Sequence, residues 1–122
     1  MSATQVLKRL MMVAIGLQVL TNDPDALRNR QLWFPLFDEL DALKGDLESS
    51  RGRAWPQGVL DTYIRVRTGM LEIFQILFGR PARPPFSRTA SDVYCERELT
   101  AYYRRLAVLL ARFSPATADG NR

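Results

Sequence analysis

The stretch KRLMMVAIGLQVL, Lys8 to Leu20, decides how the rest of the chain reads. Two cations precede eleven residues, of which only Gly16 and Gln18 are not apolar. Val6, Leu10, Val13, Leu17 and Leu20 recur at three- and four-residue spacing, the period of a helix with one buried stripe. Leu7, Met11, Ala14 and Ile15 widen that stripe past a single face. A membrane-spanning helix needs about 20 apolar residues, so no membrane span is expected from this run of eleven. Lys8 and Arg9 imitate the basic start of a secretion signal, but QVLTNDPD holds no small-x-small cleavage site. The segment reads as a retained helix, started by a capping box of Ser2 and Gln5. Gln5, Lys8, Arg9 and Gln18 are too few to cover its outer side. Either the next helix wraps around it, or a protein partner or a second copy of the chain does.

Outward from this helix, three- and four-residue spacing continues and two-residue alternation is never sustained. In NDPD, Asp23 is placed to cap a second helix, with Pro24 at its first position. Trp33, Phe37, Leu40, Leu43 and Leu47 carry that helix forward. Pro35 lies inside the pattern, has no N–H and crowds the carbonyl of Gln31, so a kink or break is expected there. ESSRGRAWPQG is a loop. A third helix runs from Pro56 to Phe78, with Val59, Tyr63, Val66, Met70, Phe74 and Leu77 on one stripe and Leu60, Ile64, Leu71 and Phe78 beside it. Gly79 is its stop. After the loop RPARPPFSRTAS, Thr89 or Ser91 caps a last helix that buries Cys95, Leu99, Tyr102, Leu106 and Phe113. The expected fold is an all-α antiparallel four-helix bundle, its second helix kinked or broken at Pro35. Residues 1–113 form the single domain, and 114–122 a flexible tail.

Among the 122 residues there is no histidine, which removes the commonest general base and metal ligand. The single cysteine, Cys95, allows neither an intrachain disulfide nor a four-thiolate zinc site, and it fits a reducing cytoplasmic setting. The acids of DELD, Asp38 to Asp41, have no Glu-x-x-His partner, so no metal or other cofactor is expected. No phosphate-binding glycine loop or nucleophile elbow is present, and the chain is not expected to be an enzyme. Arginine far outnumbers lysine, which suits a GC-rich bacterial genome. Charge is asymmetric: residues 1–61 hold seven cations and eight anions, residues 62–122 ten and five.

Two functional expectations follow. The first is a small protein-interaction module, an adaptor, regulator or chaperone-like accessory. It would dock a protein partner or form a homo-oligomer through Met11, Met12, Ile15, Trp33, Phe34 and Phe37. The second is a nucleic-acid-binding accessory. Arg80, Arg83 and Arg88 surround a PxxP in one loop, and Arg104, Arg105 and Arg112 adjoin Tyr102 and Tyr103. Arg67 falls on an apolar stripe and needs an acid; Glu96 on the last helix is the candidate for a buried ion pair.

Overall fold

The computed structural model describes residues 3–48, 57–79 and 90–113. These residues are nearly all helical, in five helices with no strand among them. The helices are α1 (Ala3–Asn22), α2 (Pro24–Leu27), α3 (Arg30–Leu47), α4 (Gln57–Phe78) and α5 (Ala90–Phe113). Ser2, Thr89, Arg80, Arg83, Arg88 with their PxxP loop, and the 114–122 tail lie outside the described residues.

Local chemistry sets the boundaries. The Asp23 side chain accepts from the Asp25 amide at 3.0 Å, and Pro24 opens α2. One turn later the chain is interrupted at Arg28 and Asn29, not at Pro35. The Asn29 side chain accepts from the Gln31 amide at 3.0 Å and restarts the helix, and α3 then runs through Pro35. Proline crowds the carbonyl four residues before it. Starting at Arg30 puts that carbonyl in the first turn of α3, so little helix lies ahead of Pro35 to be disturbed. Trp33 fastens the junction, since its buried indole N–H donates to the Leu27 carbonyl at 2.8 Å. At the other end, α4 closes with the Gly79 amide donating to the Gln75 carbonyl at 2.8 Å. Ser91 lies within α5, not at its cap.

The core follows the helical stripes. Val6, Leu10, Val13, Leu17 and Leu20 of α1 are buried, with Leu36, Leu40, Leu43 and Leu47 of α3. Val59, Tyr63, Val66, Met70 and Leu77 of α4 join Cys95, Leu99, Leu106 and Leu109 of α5. The expected second stripe of α4 divides: Ile64 and Leu71 are exposed, Leu60 and Phe78 pack half-buried against the core, and Ile73 is buried besides. Helix α1 packs on α5 and α3, and α4 packs on the same two; α2 sits against α1 and α3. Two glycines permit close approach. A Cβ at Gly16 would collide with Leu36, and one at Gly69 with the Tyr102 ring. No helix among the described residues is long and apolar enough to cross a membrane.

Candidate functional site

The outer side of α1 carries the clearest candidate surface. Met11, Met12, Ile15 and Val19 are each 45–48% exposed. Their spacing puts all four within about 100° of arc on a 3.6-residue helix. Thr4, Gln5, Lys8, Gln18 and Asn22 are the exposed polar residues around them. Helix α3 does not wrap over this stripe. It meets α1 at the Gly16–Leu36 contact and at an ion pair of Arg9 with Glu39, 3.0 Å, on the neighbouring edge. Beside that pair a groove of ≈ 580 Å³, lined by Gln5, Lys8, Arg9, Met12 and Glu39, borders the stripe. Val19 went unremarked in the sequence because it follows Gln18 near the helix end; its seven-residue spacing from Met12 is the signal that marks it.

The aromatic part of the expected docking surface resolves differently. Trp33 is fully buried and does not face outward. Phe37 is half-buried, 6.1 Å from Trp33 and 5.5 Å from Phe74 between ring centroids. Phe34 is exposed and leans on Phe74 of α4 at 6.2 Å. Phe78 closes the cluster 4.7 Å from Phe74, with the Arg30 guanidinium over its ring at 5.1 Å. These rings sit on the α4 side of α3, whereas Leu36 and Glu39 meet α1. They join α3 to α4 and do not extend the α1 stripe.

The ion pairs also differ from expectation. Arg67 reaches Asp41 of α3 at 3.5 Å, not Glu96. Gly69, two residues from Arg67, abuts Tyr102, and Glu96 lies six residues, about 9 Å of helix rise, from Tyr102. The buried charge is Asp92 in the first turn of α5, paired with Arg28 at 2.6 Å. Arg28 caps the end of α2, so the pair ties the interruption before α3 to the start of α5. Nothing local marks it, since the partners are 64 positions apart.

The arginines of α5 gather on one side. Arg104, Arg105 and Arg112 line a groove of ≈ 330 Å³ with Gly58, Thr62, Val108 and Leu109. A larger groove of ≈ 700 Å³ continues from it along α4, sharing Gly58, Thr62 and Arg105 and adding Asp61, Arg65 and Glu72. Of the tyrosines expected to stack on bases, Tyr102 borders the larger groove beside Arg105, yet its ring is not open to stacking. Tyr102 is buried over Gly69 and its hydroxyl donates to Glu98 Oε2 at 3.3 Å. Tyr103 packs half-buried against the core. Burial pushes the Tyr102 hydroxyl up to about 12. Burial likewise raises the Cys95 thiol to about 11, with Asp92 adding to the rise, so at neutral pH the thiol is protonated and a poor nucleophile. Among the described residues no group of three or more histidine, cysteine, aspartate or glutamate side chains could hold a metal ion.

Comparison of the chain with protein-family models, with curated proteins and with solved structures finds no match in any of the three.

Proposed function

We propose that this protein is a helical interaction module that assembles by laying α1 against α1 of a second copy, and that it acts as an adaptor without catalysis of its own. The observation that carries the reading is the α1 stripe. Four large apolar side chains stay nearly half exposed on a helix whose opposite side is fully buried. The stripe is self-complementary. In an antiparallel pair centred on Ile15, Met11 of each copy faces Val19 of the other, and Ile15 faces its own mate. Lys8 then comes level with Asn22, the last residue of the other copy's α1. That final turn holds no basic residue of its own, and a cation is favoured at the carbonyl end of a helix. The absence of histidine from the composition and the buried, protonated thiol of Cys95 support the non-catalytic part of the reading.

The same reading takes the fold as an antiparallel four-helix bundle, with α2 as a short connector. Three sets of contacts support it, each advancing in opposite senses along its two helices. They are Arg9–Glu39 with Gly16–Leu36, Arg30–Phe78 with Arg67–Asp41, and Gly58–Leu109 with Gly69–Tyr102.

Light scattering on the eluting protein tests the assembly. The full chain is expected above its single-chain mass, and Ile15→Asp is expected to return it to that mass with its helical circular dichroism retained. Burying an uncompensated carboxylate at the centre of the pair would weaken it by more than about tenfold. A wild-type chain that stays at single-chain mass at every concentration would contradict the reading.

A further inference from the structure

The outer face of α5 carries a second pattern that neither the core nor the α1 stripe uses. Tyr94, Ala101 and Val108 are spaced seven residues apart, and all three are exposed. Val108 is 61% exposed and Tyr94 50%, the two highest values among the exposed large hydrophobic residues. Seven residues are two helical turns, about 10.5 Å, so the three form a straight seam along the helix. Arg97, Arg104, Arg105 and Arg112 flank it, all exposed. None of these four is seen in an ion pair among the described residues. Glu98 of the same helix is half-buried and accepts from the Tyr102 hydroxyl, and Asp61 and Glu72 of α4 line the groove that Arg105 shares.

Helices that pack along a heptad seam present two positions in every seven; Tyr94, Ala101 and Val108 supply one of them, and the alkyl stems of Arg97 and Arg104 with Ala111 supply the other. Ala101 at the centre leaves room for a close backbone approach. We propose that this face of α5 docks an acidic amphipathic helix of a protein partner. The partner's apolar side chains would seat around Val108 and Tyr94, and its carboxylates would meet the four arginines. The pattern favours such a helix over a nucleic acid. Phosphates would engage the arginines but make no use of Val108, and base stacking needs exposed aromatic faces. Tyr102 is buried and Tyr103 half-buried, which leaves Tyr94, one turn from Arg97, as a single exposed ring where successive bases would need several. This surface is independent of α1, and its test uses different substitutions.

The probe is a fluorescein-labelled three-heptad peptide with leucine at its core positions and glutamate flanking them. Its lysine-flanked twin and a single-stranded oligothymidylate serve for comparison. Anisotropy with the full chain is expected to show binding of the glutamate peptide and not of the twin. Val108→Asp should weaken binding by about tenfold or more with helicity unchanged. The double variant Arg104→Glu, Arg105→Glu should transfer preference to the lysine twin. No binding of the glutamate peptide would overturn the proposal, as would binding indifferent to Val108→Asp. Oligothymidylate binding that needs the arginines but not Val108 would make the face a phosphate surface, and self-association lost on Val108→Asp would assign it to a second copy; both results overturn the proposal.

Discussion

At the scale of single residues, the contact between Arg28 and Asp92 carries the most consequence for stability. Asp92 is almost wholly buried, while a third of the Arg28 side chain is exposed. The two partners therefore respond differently to loss of the other. Without Asp92, Arg28 can turn its guanidinium to water. Without Arg28, Asp92 keeps a buried carboxylate that has lost its arginine, although its place in the first turn of α5 still favours the charge. Arg28→Ala should cost about 3 kcal/mol in denaturant unfolding, and Asp92→Asn about 1 kcal/mol. Equal costs would show that the buried carboxylate is not what the pair protects. The sequence could not reveal this pair, because Arg28 reads as an ordinary helix-end cation and Asp92 as an ordinary first-turn acid. It also misdirected Arg67. The apolar stripe around Arg67 suggested an acid on α5, but Ile64 and Leu71 turned out to face solvent, and Asp41 was the acid within reach.

At the scale of the helices, periodicity was enough to locate four long segments and most of their buried stripes. It was not enough to place the interruption before α3. Proline is the stronger signal in a sequence, yet Asn29 decides the matter by capturing the Gln31 amide. Periodicity set Val6, Leu10, Val13, Leu17 and Leu20 inside, where the structure has them, but Met11 to Ile15 are apolar all the way round and spacing alone did not say whether the next helix covers the rest. Gly16 makes the choice: it brings α3 onto one edge of α1 through Leu36 and leaves Met11 and Ile15 outside. A methyl group at Gly16 would force Leu36 out of the seam. Gly16→Ala should therefore destabilise the chain by about 1–3 kcal/mol, although alanine is the better helix former. A gain in melting temperature would mean that α1 and α3 do not meet there.

At the scale of the whole molecule, the expected charge asymmetry acquires a position. Four of the ten cations of residues 62–122 are exposed arginines on the outer side of α5, while Arg80, Arg83, Arg88 and Arg122 lie outside the described residues. The proposed assembly surface on α1 and the proposed docking face on α5 would together suit an adaptor. The Trp33–Phe37 cluster, which looked like part of a docking surface, instead joins α3 to α4. Residue types suggested aromatic docking, but only the packing of Trp33 beneath Leu27 revealed its structural use.

The central claim is that the α1 stripe is open in a single chain and covered in the assembled protein. Peroxide oxidation of methionine, followed by peptide mass spectrometry across a dilution series, tests it most directly. Met11 and Met12 are nearly half exposed, and Met70 is fully buried and serves as the internal reference. Met11 and Met12 are expected to oxidise readily in dilute protein and to be protected about fivefold or more as concentration rises. Ile15→Asp should abolish that protection, while Met70 stays slow throughout. Oxidation of Met11 and Met12 that does not change with concentration would rule out pairing through α1.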